Sequence, residues 1–427
     1  MPLGNIINQM SSKNILTLSS ASAVSQLITI SGTLITARLF LPEDFGHLAF
    51  FFSLLTILSI LGTLEFQRII SITKKNEDAF VAINLVAKLL IIFGLTLFMT
   101  LFILEDLISN LIKDKIVYKW LYLLPITLFA SALFQTFSLL LNRFSLYKNL
   151  ALSRIFFASL IVIFNIIFGY FSVKGGLIFG TTIGTFIAFL LILYTSYGLF
   201  GKKIFESNFS KEKKLSKVYK NHPKHLTPSV ILGTSAEQIP IFIFFTLFDV
   251  QEAGFYAMAT RVIYLPITLI ANSIGEVYRQ EIFDAFNEKG SFKDVHYRTL
   301  KKTFLIALCI PFLYPILPLA FEFFLGSKWI PAAEYSQILT ISLFFQIIIT
   351  PLDKSSLLVN ATKYIFFWQF LRFILNIFLI FLVLIAEISA TYYLYGLVIT
   401  NISLYIIEAL AQLYFANFVH KKEIFRP

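Results

Sequence analysis

The sequence predicts an all-α polytopic membrane protein of about 12 transmembrane helices. Hydrophobic residues make up 57% of the 427 positions and charged residues only 14%, and the mean hydropathy is +0.80. About 240 side chains therefore seek an apolar environment, which is what twelve spans of about 20 residues would absorb and far more than a soluble core requires. Apolar runs lie near 14–39, 46–72, 80–104, 118–141, 150–171, 177–200, 226–248, 254–278, 302–325, 334–357, 364–386 and 392–418, each long enough to cross a bilayer.

The first run is read as a span and not as a cleaved leader. Met1 to Lys13 is barely basic, and Ile15 to Leu39 exceeds an h-region of about 7–15 residues. The segment 105–117 has room for a short interfacial helix.

Net charge is +11, and its position decides its meaning. With the N-terminus inside, 22 Lys and Arg residues outside the spans face the cytoplasm, eight of them between Lys202 and Lys224. The other side holds five: Lys113, Lys115, Lys119, Lys174 and Lys328. The positive-inside rule therefore places both termini in the cytoplasm, and a bacterial inner membrane is the expected location. The basic patch reads as a topological signal and lipid-headgroup contact, so no nucleic-acid partner is expected.

Chemistry that needs a cluster lacks its carriers. The one cysteine, Cys309, lies in an apolar run, and His47, His222, His225, His296 and His420 fall at span ends or in loops. No zinc-protease, paired-cysteine or phosphate-loop string occurs, so no metal or cofactor is expected. External loops are too short for a catalytic domain, which argues against an enzyme and against a membrane polysaccharide polymerase.

The basic stretch divides the chain into an N-terminal six-helix bundle at 1–200, a linker at 201–225 and a C-terminal six-helix bundle at 226–427. Phe40, Asp44 and Gly46 recur as Phe248, Glu252 and Gly254 at an offset of 208. Two six-span halves in the same orientation predict a parallel repeat about a pseudo-two-fold axis along the membrane normal, with a cavity between them. A polar stripe supports this. At about 100° per residue, Ser22, Ser25, Gln26, Thr29, Thr33 and Thr36 share one arc of the first span. Thr227, Thr234, Glu237 and Gln238 share one arc of the seventh. The same hydroxyls also suit close packing between helices, so both readings stand.

Charged groups inside the spans need a partner, water or a ligand, because each costs at least about 2.5–3.5 kcal/mol near the bilayer centre. The deep ones are Lys88, Glu237, Arg261, Arg372 and Glu408. Level depths suggest the ion pairs Glu237–Arg261 and Arg372–Glu408. The alternative makes Arg261 and Arg372 ligands for an anionic headgroup, since a guanidinium donates a planar fork to diphosphate and stays charged. Glu237 and Glu408 would then hold them or couple transport to protons or sodium. Arg68 and Arg154, near the cytoplasmic boundary, are either headgroup anchors or a phosphate entrance. Pro240, Pro266 and Pro351 should kink their spans.

The string from Thr36-Ala37-Arg38 through Leu41-Pro42-Glu43-Asp44-Phe45-Gly46 resembles the opening of the polysaccharide transport family, the Wzx-type flippases for O-antigen and capsule repeat units. Ala253-Gly254-Phe255-Tyr256-Ala257, Arg261 to Pro266 and Ser273 to Tyr278 continue the likeness. Gly326-Ser327-Lys328-Trp329 with Ala332-Ala333-Glu334-Tyr335 looks like the family's Gly-x-x-Trp turn. The resemblance implies the multidrug, oligosaccharidyl-lipid and polysaccharide exporter superfamily and two bundles around a central cavity. It implies an undecaprenyl-diphosphate-linked oligosaccharide as substrate, moved by alternating access, with membrane lipids, a polymerase and a chain-length regulator as partners. It carries over most directly to Arg261. The rival within this architecture is a drug/cation antiporter, which would need a cavity dominated by carboxylates and aromatic rings.

Overall fold

The computed structural model describes residues 3–112, 115–359 and 361–418, and side chains from Ser20 onward. Lys113, His420, Lys421, Lys422 and Arg426 lie outside the described residues, as do the side chains of Lys13, Lys115 and His222. All regular structure among the described residues is helical, as hydrocarbon demands of a chain that must satisfy its backbone internally.

The long helices are α1 (Leu3–Leu39), α2 (Pro42–Thr63), α3 (Asn76–Ile103), α4 (Leu124–Arg143), α5 (Tyr147–Tyr170), α6 (Gly176–Phe200), α7 (Thr227–Ile243), α8 (Val250–Lys289), α9 (Leu313–Leu325), α10 (Ile330–Ile349), α11 (Thr362–Ala386) and α12 (Ala390–Phe418). Each apolar run of the sequence overlaps one of them, and the second and ninth runs also take in further short helices. Eleven helical stretches of the described residues are long and apolar enough to span a membrane, and α1 adds a further helix of 37 residues. The chain is a multi-pass membrane protein. A short helix, Glu105–Ile112, follows α3, where the sequence left room for one.

The chain forms two compact units, the first ending at Thr234 and the second starting at Ser235, so the division falls inside α7. The first unit is held by close backbone approach. Gly176, Gly180 and Gly184 recur every fourth residue on one face of α6, the spacing that lets membrane helices meet closely. A Cβ on Gly184 would sit 2.7 Å from Ile161 Cα of α5, and one on Gly180 would sit 2.3 Å from Asn165 Oδ1. Gly32 of α1 makes the same allowance for Val162 of α5.

A ten-residue helix, Phe209–Val218, follows α6 within the basic stretch, with Asn208 Oδ1 accepting the Lys211 N–H at 2.9 Å as its N-cap. It supplies the partner of one deep charge. The Lys88 ammonium of α3 donates to both oxygens of buried Glu212, at 2.8 and 2.9 Å.

The second unit carries prolines within its helical segments. Pro240 is followed by a π-helical segment at Phe244–Phe248, and Pro266 lies inside α8. At 40 residues and about 1.5 Å per residue, α8 outruns the ~30 Å hydrocarbon layer. Its end builds a small apolar core of Tyr278, Ile282 and Phe286 with Phe292, Leu352 and Phe415. The ninth run is divided: a helix at Lys293–Ala307, a turn at Ile310–Phe312, then α9.

The two units share a frame. α2 starts at Pro42 and α8 at Val250, an offset of 208. His47 meets Trp120 edge-on at 5.2 Å and 79° in one unit, and Phe255 meets Trp329 at 6.4 Å and 81° in the other. His47 and Phe255 are again 208 apart.

Candidate functional site

The strongest concentration of charge and aromatic surface in the second unit lies where α7, α8, α11 and α12 supply side chains. Glu237 of α7 accepts from Arg372 Nη1 of α11 at 3.1 Å. One turn earlier on α11, the Trp368 ring lies 5.7 Å from the Arg372 guanidinium carbon, a cation–π contact. Tyr256 and Tyr264 of α8 and Tyr405 of α12 lie within electrostatic reach of Arg372. The Glu237 side chain is 56% exposed although it sits within a membrane helix, and Arg372 keeps 23%. A carboxylate in mid-span that its own unit does not cover needs water or a polar ligand.

This pairing departs from the one expected on depth. Arg372 faces Glu237 and not Glu408. Glu408 is buried and bound by neutral donors, Tyr364 OH on one oxygen and Gln412 Nε2 on the other, with Gln412 held in turn by Ser355. Depth fixes how far a residue lies along a helix but not which way it turns, and rotation decides the partner. Arg261 is half-buried on α8, and Gln238 is half-buried on α7.

Beside this pair is a cavity of about 250 Å³ lined by residues of α10, α11, α12 and the connection between α10 and α11. Trp368, Tyr364 and Tyr405 give it aromatic surface, while Glu408, Gln369 and the Asp353–Lys354 ion pair (2.9 Å) give it polarity. Sequence reasoning singled out only Glu408 as a site residue here. Trp368 and Gln412 stand four residues from Arg372 and Glu408 respectively, so helical spacing could have found both.

In the first unit several polar residues also have structural tasks. Ser25, Thr29, Thr33 and Thr36 each donate to the carbonyl four residues earlier, at 2.8 to 2.9 Å, so the hydroxyl stripe of α1 satisfies its own donors. Thr33 and Thr36 are buried, whereas Ser25, Gln26 and Thr29 are half-buried, and the Gln26 side-chain oxygen has no hydrogen-bond partner among the described residues. Arg154 of α5 is exposed and donates to Ser22 at 3.2 Å. Arg68 binds buried Glu65, which sits with Leu64 in the left-handed region (φ 60° and 48°) just past the end of α2. That arginine clamps a strained turn. Thr234 is half-buried in α7. Among the described residues no group of three or more His, Cys, Asp or Glu could hold a metal.

Helices of this number and order, with charged groups inside the spans, define a polytopic all-helical membrane fold. The fold resembles an inward-facing multidrug resistance MATE family transporter of the MOP superfamily, at TM-score 0.68 and 16% identity over 93% of this chain and 97% of that one. It equally resembles the lipid II flippase MurJ in an inward closed conformation, at TM-score 0.68 and 16% identity over 96% and 89%. A MOP superfamily transporter from Pyrococcus furiosus aligns at TM-score 0.60 and 15% identity over 94% of each chain. No curated protein matches the chain. The chain belongs to the family described as polysaccharide biosynthesis protein, whose model matches residues 35–334.

Proposed function

We propose that the protein flips undecaprenyl-diphosphate-linked oligosaccharide repeat units across the cytoplasmic membrane by alternating access, for O-antigen, capsule or exopolysaccharide assembly. The observation that carries this reading is the Arg372–Glu237 pair, half-open at mid-span and ringed by aromatic side chains. A diphosphate-sugar cannot cross hydrocarbon without losing its hydration, so a flippase must offer it fixed donors along the way. Arg372 supplies them, and Arg261, with Gln238 and Thr234 on α7, extends the polar route. Arg68 and Arg154, with Gln26 and Thr29, serve the headgroup from the first unit. Glu237 and Glu408 couple the cycle to protons or sodium. Both termini lie in the cytoplasm, and a polymerase and chain-length regulator act next. No covalent step is needed.

A drug/cation antiporter shares this fold, and the aromatic rings near Arg372 favour it in one respect. A guanidinium amid those rings opposes a cationic substrate, however. The two readings part on a deletion strain. Loss of a flippase leaves lipid-linked repeat units on the cytoplasmic face and removes surface polymer, and Arg372→Ala at normal protein level reproduces this. Intact surface polymer in the deletion strain contradicts the proposal.

A further inference from the structure

The geometry points to the 250 Å³ cavity of the second unit as a subsite for one sugar ring, the one joined directly to the diphosphate. This inference rests on the flippase reading above and names which part of the substrate goes where.

Size comes first. The cavity lies below the ~300–1,000 Å³ of sites for drug-sized ligands, so it admits a single ring and not a whole oligosaccharide.

Chemistry then narrows the class. The indole N–H of Trp368 and the side-chain oxygen of Gln369 are both buried with no hydrogen-bond partner among the described residues, and both residues line the cavity. One is a donor only and the other an acceptor. A metal ion cannot use the indole N–H, and the Lys354 ammonium already engages Asp353 at 2.9 Å. An anion would meet Asp353 and Glu408 against a single lysine. An apolar tail would lay hydrocarbon against the Asp353–Lys354 pair and the Glu408 carboxylate. A sugar suits this lining, because each hydroxyl both donates and accepts while the ring's C–H face lies on an aromatic wall of Trp368, Tyr364 or Tyr405. Glu408 is held in place for this by Tyr364 and Gln412.

Position supplies the last step. Trp368 belongs both to the cavity wall and to the Arg372 contact. A ring in the cavity and a diphosphate on Arg372 are therefore adjacent, as they are in a lipid-linked glycan.

The test uses the full chain in nanodiscs and equilibrium binding of three probes: farnesyl diphosphate alone, and the same lipid carrying one N-acetylglucosamine or one galactose. In the wild type at least one sugar should tighten binding about tenfold. Gln369→Leu, which keeps the side-chain volume, should remove most of that gain without changing the affinity for farnesyl diphosphate; Trp368→Phe, whose ring also lies on Arg372, should remove most of the gain measured against its own affinity for farnesyl diphosphate. Binding of farnesyl diphosphate with no gain from either sugar, or a gain that survives both variants, overturns the subsite alone. Failure of all three probes to bind wild-type protein overturns the flippase reading and the subsite with it.

Discussion

The two units carry one frame and put it to different uses. At the frame level they match: helix starts 208 positions apart and an edge-on aromatic pair, His47–Trp120 and Phe255–Trp329, repeated at the same offset to within one residue. Inside the membrane they diverge. The first unit packs on glycine; hydroxyls bond their own helices in both units. The second carries prolines, a half-open ion pair and a polar cavity. The candidate site lies in the unit with the half-open pair and the cavity.

The deepest test of the shared frame is to remove its anchors. Trp120 and Trp329 are both buried, and truncating a buried Trp to Ala costs about 3–5 kcal/mol. Both variants should lose thermal stability by similar amounts in detergent. A large loss for one alone would break the equivalence of the pairs. Gly184→Ala should follow at about 1–3 kcal/mol, because the new methyl meets the Ile161 backbone and cannot be accommodated by a rotamer. Gly275→Ala of α8 should be close to neutral, since its nearest neighbour would stand 3.5 Å away. Equal effects at the two glycines would deny that close packing belongs to the first unit.

Glu212→Gln leaves the half-exposed Lys88 without its counter-charge. The expected loss is about 1 kcal/mol, above that of a fully exposed pair because Glu212 is buried and below that of a fully buried one because Lys88 keeps about half its surface, read as a small drop in melting temperature with transport retained. Loss of transport at unchanged stability would instead move Lys88 into the substrate path.

Much of the fold was legible because apolar length and the polar loops between runs dictate helices directly, and the turn at Phe40–Gly46 announced the repeat. The candidate site was legible only in part. Arg372, Glu237 and Glu408 stood out as charges that hydrocarbon would not tolerate, yet their partners did not follow. Arg372 and Glu237 are 135 positions apart, and nothing in a hydropathy profile says how α7 and α11 are rotated. Lys88 had no visible partner because Glu212 belongs to a loop helix that folds back on α3. The hydroxyls of α1 stay open to both readings: each donates to its own helix, and a stripe that suits water also suits a helix that bonds to itself.

The most direct measurement is flipping by purified protein in liposomes, using a polyprenyl-diphosphate-linked oligosaccharide placed on one leaflet and a membrane-impermeant glycosidase to report its arrival on the other. The wild type should expose substrate well above protein-free vesicles. Arg372→Ala should fall at least about tenfold at equal incorporation, the loss expected when a charge-assisted bond to substrate is removed. Equal exposure from wild type, Arg372→Ala and empty vesicles would contradict a transport site built on Arg372 and Glu237.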